Sequence, residues 1–209
     1  MPTKAPLKYT LHIQLLGIRP AIWREIEIPS TASADYLAWV LEIVMGWSGS
    51  HLPAFMVGKQ EFVAAEDCCN GMEDFALPYD ELTVEDLFAT GEAVKFLYDF
   101  GDGWEHELTI LGAPAEYAKG ERKQAKYLRG GRACPPEDIG GVPGYQELLR
   151  AIKRPDSEQA QEYFEWLGYR YDPERLNERE IRSNLACFRQ YGTLPWFMDD
   201  EPEETEYYS

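Results

Sequence analysis

The first half of the chain alternates apolar and polar residues with the period of a β-strand, and this pattern limits the fold more than any other feature of the sequence. Residues 8–16 alternate in this way, and residues 22–28 do so again after a turn that contains Gly17 and Pro20. Because successive side chains of a strand point to opposite faces, each run predicts a strand with one buried face. The chain is therefore expected to open with an antiparallel hairpin.

A second hairpin is predicted around the motif DFGDGWEH. Residues 94–100 and 104–110 alternate on either side of the turn residues 101–103, whose two glycines suit a tight connection. Apolar residues between 36 and 45 recur instead with helical spacing, which predicts one early helix. A short hairpin is expected around Gly58, and residues 64–82 are expected to form an acidic loop. Thr83 with Asp86 predicts a capping box at the start of a short helix.

Helical spacing dominates after residue 144, where three amphipathic runs predict a C-terminal group of helices. Residues 113–133 are expected to be a basic connection, and residues 134–141, with the sequence CPPEDIGG, a rigid loop without regular structure. The prediction is an α+β fold with a largely antiparallel sheet built from N-terminal hairpins, packed by one early helix and the C-terminal helices. A doubly wound nucleotide fold is disfavoured, because neither GxGxxG nor GxxxxGK[ST] occurs.

The length of 209 residues suits one hydrophobic core. We expect a single domain over residues 1–198 and an acidic disordered tail over residues 199–209, which holds six acids. The four cysteines form no CxxC pair, Cys68 and Cys69 are expected to be free thiols, and no long apolar run suggests a membrane span. The chain is therefore expected to be cytoplasmic.

The net charge of -17 and the pI near 4.5 oppose binding to a polyanion, because phosphate contacts require Lys and Arg. Partners among nucleic acids and membranes are therefore not expected, whereas a small ligand or a protein remains open. One basic patch stands out: Lys119, Arg122, Lys123, Lys126, Arg129 and Arg132. It is either a solvated loop or a docking surface for an anionic ligand or for the acidic tail.

Candidate site residues cluster in two motifs and one isolated histidine. They are His51, then Asp99, Asp102, Trp104 and His106 in DFGDGWEH, then Cys134, Glu137 and Asp138 in CPPEDIGG. Carboxylates and imidazoles at this density could hold a divalent metal or act as an acid/base pair, with His51, His106 and Asp102 as the metal-ligand candidates. Cys134 could be a nucleophile or a ligand.

A structural interpretation of the same residues stays open. Asp102 and its neighbouring glycines could simply build the turn, and alternation puts His106 on the same face as Trp104, where it would be a hydrogen-bonded core histidine. The prolines after Cys134 could simply fix the loop, with Glu137 and Asp138 capping a helix that begins near Gly144.

Four segments, IRPAIWREIEIP, MGWSGSHLPAF, YDFGDGWEHELTI and RACPPEDIGGVPGYQELL, together resemble the plasmid pRiA4b ORF-3-like family. The resemblance covers residues 8–190. Proteins of this family are also described as transposon passengers of the TnpR type, and the resemblance implies no established activity. The chain departs from its relatives at Pro53, where they often have His, and at Ile139, where they often have Cys. If those positions ligate a metal in relatives, this chain lacks part of that site.

Three functions are compatible with these observations. The first is a binding or interaction module whose polar pocket lies between His51, the DFGDGWEH hairpin and the CPPEDIGG loop. The second is a metal-assisted hydrolase, and the remote third is a transposon-associated resolvase-like protein. A resolvase needs a basic DNA-binding helix pair and an activated nucleophile, neither of which this acidic chain shows. The binding module is preferred, and replacement of His106 is expected to alter ligand or metal binding more than stability.

Overall fold

The structure, a computed structural model, describes residues 6–65, 67 and 76–191. Its strands are β1 Leu7–Leu15, β2 Trp23–Pro29, β3 Pro53–Val57, β4 Gln60–Val63, β5 Leu77–Pro78, β6 Val94–Tyr98, β7 Trp104–Ile110, β8 Ala115–Glu116 and β9 Lys126–Gly131. Its helices are α1 Ala34–Met45, α2 Val84–Phe88, α3 Gly141–Ala151, α4 Glu158–Leu167 and α5 Glu178–Tyr191. The expected thiols of Cys68 and Cys69 and the expected acidic tail lie outside the described residues.

The described strands form one sheet in the order β5-β4-β3-β6-β7-β1-β2-β9, with β8 paired to β1 outside this path. Within it, β4 and β5 run parallel and the other pairings are antiparallel. All three expected hairpins are present, with Lys8 opposite Pro29 in the opening one, Val57 opposite Gln60 around Gly58 and Tyr98 opposite Trp104 around DFGDGWEH. The predicted α+β fold with a largely antiparallel sheet is thus confirmed.

One face of the sheet carries the hydrophobic core. Leu11, Ile13 and Leu15 of β1 are buried on this face, and α1 contributes Leu37 and Leu41 to the same cluster of buried residues. Full burial of one such side chain stabilises the fold by about 1.5–3 kcal/mol. The opposite face of β7 is exposed and polar, as alternation predicts for an antiparallel sheet with one solvated side.

Local capping motifs define the helix ends. The side chain of Ser33 accepts a hydrogen bond from the Tyr36 amide at the start of α1, and Gly46 ends that helix in the left-handed conformation. The predicted capping box of Thr83 and Asp86 opens α2. These signals are local in sequence, which is why they could be found without knowledge of the fold.

Residues 113–133, expected as a basic connection, contain two strands that the sequence did not predict, β8 and the edge strand β9. The alternation of apolar and polar residues did not predict β9, because this strand ends in two glycines that pack against β2. A Cβ atom at Gly131 would lie 2.6 Å from Nε1 of Trp23, and one at Gly130 would lie 2.7 Å from Cδ of Arg24. Side chains are absent there because neighbouring side chains fill the space.

Two further boundaries differ from expectation. Helix α3 begins at Gly141 rather than near Gly144, so the CPPEDIGG loop leads directly into it. The segment expected as an acidic loop contains the two-residue strand β5, which lies parallel to β4. Among the described residues, no helix combines the length and the apolar character that crossing a membrane would require.

Candidate ligand-binding site

Three segments that are distant in sequence meet beside the end of α1. They are the residues that follow α1, the DFGDGWEH turn between β6 and β7, and the CPPEDIGG loop before α3. The turn and the loop touch at Gly141, where a Cβ atom would lie 2.4 Å from the carbonyl oxygen of Asp102. Gly141 also has a φ of +65°, so glycine meets both a conformational and a steric requirement at this contact.

Glu137 ties the CPPEDIGG loop to the other two segments. Its Oε1 accepts hydrogen bonds from the Tyr98 hydroxyl at 2.7 Å and from the Ser48 amide at 2.9 Å. Its Oε2 accepts a hydrogen bond from Ser48 Oγ at 2.6 Å. Burial raises the pKa of Tyr98, so its hydroxyl stays protonated and able to donate. Since both carboxylate oxygens already have donors, we assign Glu137 a positioning role.

A second polar cluster consists of His51, Asp99 and Asp138, one residue from each of the three segments. His51 Nε2 lies 3.7 Å from Asp99 Oδ2 and 3.4 Å from Asp138 Oδ1. Asp99 and Asp138 adopt φ values of 58° and 56°, a left-handed conformation that Asp tolerates better than most residues. One atom from each residue, the three within 4.8 Å of one another, could hold a metal ion.

The structure separates His106 and Trp104 from this cluster. Both side chains are fully buried on the core face of the sheet, as the alternation of β7 indicated. His106 Nδ1 lies 3.1 Å from the Phe96 carbonyl oxygen, and burial lowers the pKa of the imidazole to about 4. The expected joint metal site of His51 and His106 is therefore not formed, because the His106 ring is enclosed in the core, whereas the His51 ring lies in the segment after α1 and is partly exposed.

Asp102 also stays outside the cluster. Its backbone amide donates to Asp99 Oδ1 at 3.3 Å, and the Gly101 amide donates to the same oxygen at 2.8 Å. Asp102 thus takes part in the turn through its backbone, as the structural interpretation proposed. Its Oδ2 is buried and has no hydrogen-bond partner among the described residues.

Cys134 lies at the start of the CPPEDIGG loop with a free thiol. Burial strongly raises the pKa of this thiol, and the nearby guanidinium of Arg24 offsets only part of the effect. A nucleophilic cysteine needs a lowered pKa, because the thiolate is the reactive form. The environment of Cys134 therefore argues against the nucleophile interpretation.

A groove of about 720 Å³ opens beside the CPPEDIGG loop. One wall is formed by the end of α1 with Trp47 and Ser48, and the loop contributes Cys134 and Glu137. The other wall comes from residues 166–184, which include the end of α4, the connection to α5 and the first turns of α5. The groove therefore extends from the loop toward the C-terminal helices rather than toward the DFGDGWEH turn.

Exposed aromatic and charged side chains line the C-terminal wall. Trp166 and Tyr169 are 52% and 55% exposed, which makes them the most exposed of the large apolar side chains in the described part of the chain. Arg170, Arg175, Asp172 and Glu180 also line the groove. Aromatic rings beside polar groups of both charges are typical of sites that bind small organic molecules.

Arg24 lies buried in the floor of the groove. Its Nε donates to the Val44 carbonyl at 2.7 Å, Nη1 donates to the Trp23 and Gly131 carbonyls at 2.7 and 3.0 Å, and Nη2 donates to the Met45 carbonyl at 3.4 Å. These contacts include the last carbonyls of α1, where the helix dipole favours a positive charge. Arg24 therefore holds the end of α1 against β2 and β9.

Glu42 introduces an acid on the buried side of α1. It is 3% exposed, and burial with the nearby carboxylate of Glu137 raises its pKa to about 8. The carboxyl group is therefore protonated at neutral pH, which avoids two adjacent negative charges.

The basic patch is partly neutralised by acids. Arg129 makes two hydrogen bonds to Glu25, of 2.8 and 3.0 Å, and Arg132 lies 2.9 Å from Glu174. Lys126 contacts Glu121, and this hydrogen bond is the main reason that the pKa of Glu121 falls to about 2. The remaining three, Lys119, Arg122 and Lys123, are exposed and form no ion pair with a described residue.

Sequence reasoning missed several residues that shape the site. Ser48 and the Tyr98 hydroxyl have partners 89 and 39 residues away, so no local spacing could reveal them. Trp166 and Tyr169 flank Gly168, the C-cap of α4, and no signal in the sequence marks them as exposed, because an aromatic residue at a helix end can also pack back on the last turn.

Known proteins resemble this chain in amino-acid sequence and in three-dimensional structure. The uncharacterized protein y4hQ of Sinorhizobium fredii is 36% identical over 160 residues, which are 76% of this chain and 79% of that protein. The crystal structure of MM3350, a protein of unknown function from Methanosarcina mazei Go1, has a TM-score of 0.73 and 27% sequence identity, and the match covers 85% of this chain and 98% of that one. The model of the plasmid pRiA4b ORF-3-like protein family matches residues 8–180, so the chain belongs to that family.

Proposed function

We propose that the protein is a binding module that takes a small organic ligand in the groove between the CPPEDIGG loop and the C-terminal helices. The observation that carries this proposal is the pairing of a cavity of about 720 Å³ with the exposed rings of Trp166 and Tyr169. Pockets for small molecules typically have volumes of about 300–1,000 Å³. Large exposed apolar groups beside such a pocket indicate a contact surface more strongly than scattered ones do.

The lining favours one class of ligand. Flat aromatic or apolar groups suit the rings of Trp166 and Tyr169, because stacked aromatic pairs gain energy beyond the area that they bury. Arg170 and Arg175 can pair with an anionic substituent, and Asp172 and Glu180 with a cationic one. The ligand that fits best is a small aromatic compound with charged or hydrogen-bonding substituents.

Hydrogen bonds connect both walls of the groove to the rest of the fold. Arg24 anchors the end of α1, and Glu137 fixes the CPPEDIGG loop through Ser48 and Tyr98. Tyr171 joins the far wall to the loop, since its hydroxyl donates to the Cys134 carbonyl at 2.9 Å. A preformed site lowers the entropic cost of binding, which supports a binding role for this region.

The test is ligand-observed NMR with a set of aromatic amines and aromatic carboxylates. At least one of these compounds should bind the wild-type protein in a saturable manner. Replacing Trp166 and Tyr169 together by Ala should weaken that binding by about tenfold or more, because two ring contacts are lost.

The matched control is Leu77→Ala, which removes another exposed apolar side chain at a position outside the groove. This variant should bind the same compounds as the wild type. The proposal fails if no compound binds the wild type, or if the double variant binds as tightly as the Leu77→Ala control does.

The alternative of a metal-assisted hydrolase has less support from the geometry. His106, one of its expected ligands, is buried in the core, and the raised pKa of Cys134 leaves no activated nucleophile there. A hydrolase would depend on the cluster of His51, Asp99 and Asp138 for its metal.

We also propose that the protein works in the cytoplasm, where Cys134 would remain a thiol. Secretion of the native protein would contradict this proposal.

A further inference from the structure

We infer that His51, Asp99 and Asp138 form a binding site for a divalent transition-metal ion, with Zn²⁺ as the best fit. This site lies beside the groove and does not depend on the proposed organic ligand. Its residues come from the segment after α1, the turn after β6 and the CPPEDIGG loop, so the fold rather than one local turn brings them together.

The spacing of the ligand atoms suits a metal of this kind. Two ligands bound to zinc at about 2.1 Å with a tetrahedral angle lie about 3.4 Å apart. His51 Nε2 lies 3.4 Å from Asp138 Oδ1 and 3.7 Å from Asp99 Oδ2. All three ligand atoms lie within 4.8 Å of one another, so the side chains would close in around one ion as it binds.

Asp99 gives a second, independent indication. Its side chain is 9% exposed, and its Oδ1 accepts two backbone hydrogen bonds from the turn. Its Oδ2 faces His51 and accepts no hydrogen bond from a described residue. Asp99 is thus a largely buried residue with one carboxylate oxygen that has no donor among the described residues, and a cation between Asp99 and His51 would supply that partner.

The surroundings provide the support that a metal site needs. The amides of Gly101 and Asp102 hold Asp99 through Oδ1 and leave Oδ2 directed at the cluster, which is how outer hydrogen bonds orient a ligand. Asp138 is 71% exposed and His51 27%, so the site can be reached from solvent. Three protein ligands would leave at least one position for water.

The donor set selects the class of ion. One imidazole nitrogen with two carboxylate oxygens suits zinc and its neighbours in the first transition row, whereas calcium and magnesium sites are built from oxygen donors. Two carboxylates also compensate the double charge of the ion. We therefore expect Zn²⁺ to bind more tightly than Ca²⁺ or Mg²⁺.

The experiment is a calorimetric titration of chelator-treated protein with zinc chloride. Wild-type protein should bind one ion per chain, and His51→Gln and Asp138→Asn should each weaken binding by at least about tenfold. Asp138→Asn is the safer variant for folding, because the residue is exposed and Asn tolerates its positive φ.

The matched control is His12→Gln. His12 is 28% exposed and lies 3.6 Å from Glu25 Oε1, so it is a histidine of similar exposure with an acidic neighbour outside the cluster. Its replacement should leave zinc affinity unchanged. In parallel, zinc should shift the imidazole NMR signals of His51 while those of His12 and His106 stay in place.

Two results would overturn the site: a wild-type protein that does not bind zinc stoichiometrically, or zinc binding that survives both His51→Gln and Asp138→Asn. Neither result would bear on the groove, whose test uses Trp166 and Tyr169. A failure of the groove proposal can therefore be told apart from a failure of the metal site.

Discussion

His106 combines full burial with an imidazole whose pKa is lowered to about 4, so it stays neutral where an exposed histidine would begin to take up a proton. Glu42 is its counterpart among the acids, since burial raises the pKa of its carboxyl group to about 8. Both groups are neutral at pH 7, and both link the stability of the fold to pH, in opposite directions.

For His106 the unfolded chain takes up a proton near the ordinary value of 6.5, whereas the folded protein does so only near 4. The contribution of this group to stability is therefore present at neutral pH and is lost as the pH falls from 6.5 to 4, by about 3 kcal/mol in all. Urea unfolding of the wild type and of His106→Phe should show a steeper loss of stability on acidification in the wild type. Parallel pH profiles would contradict this prediction.

The burial of His106 also reverses the expectation drawn from sequence, that its replacement affects binding more than stability. His106→Ala removes a core side chain and its hydrogen bond to Phe96, so we expect a loss of about 2 kcal/mol or more. Zinc affinity per folded molecule should stay unchanged. Weaker zinc binding with unaltered stability would show that the ring belongs to the metal site.

Glu42 gives the opposite pH dependence. The folded protein holds this proton up to pH 8, whereas the unfolded chain releases it near 4.5, so the group lowers stability progressively as the pH rises through this window. Glu42→Gln keeps the shape of the neutral acid and should raise the free energy of unfolding by about 3 kcal/mol near pH 7. The gain should vanish near pH 4.5, and an equal gain at both pH values would disprove the assignment.

Among the helices and strands, the features that the sequence predicted are those with local causes. The alternation of β6 and β7 and the pairing of Thr83 with Asp86 depend on residues close together in the chain. Strand β9 and the links of Ser48 to the CPPEDIGG loop could not be predicted in this way. They depend on contacts with Trp23 and Glu137, which only the folded chain brings near.

Prediction of the candidate site residues was also limited to what local sequence patterns can indicate. His51, Asp99 and Asp138 were all chosen from sequence, but the choice of His106 and Asp102 as fellow ligands followed from density within one motif. Alternation already placed His106 with Trp104, and this simple rule was the better guide. The groove could not be anticipated, because its walls join the end of α1 to the start of α5.

A pair of glycine variants tests how the DFGDGWEH turn and the CPPEDIGG loop hold each other. Gly141 and Gly103 have similar φ values of +65° and +67°, so Ala at either position should cost about 1–2 kcal/mol in backbone strain. Only at Gly141 would the new Cβ atom collide with a neighbour, the Asp102 carbonyl at 2.4 Å, whereas nothing lies within 4 Å at Gly103. Gly141→Ala should therefore lower the midpoint of urea unfolding clearly more than Gly103→Ala does. Equal effects would mean that the contact between turn and loop does not matter.

The whole molecule is acidic, with a net charge of -17, and its one basic patch is partly paired with acids. This charge opposes DNA binding and with it the resolvase interpretation. A gel-shift assay with duplex DNA near physiological salt should show no retardation. Retardation that weakens when Lys119, Arg122 and Lys123 are replaced by Gln would revive that interpretation.

The function proposed for this protein depends on a ligand in the groove beside the CPPEDIGG loop. The most direct measurement is a titration of isotope-labelled protein with the best aromatic compound from the screen, followed by amide and indole chemical shifts. We predict that the shifts concentrate on Trp47, Trp166, Tyr169 and their neighbours along both walls. Shifts confined to the exposed face of the sheet, around Glu105 and Glu107 of β7, would contradict a ligand site in the groove.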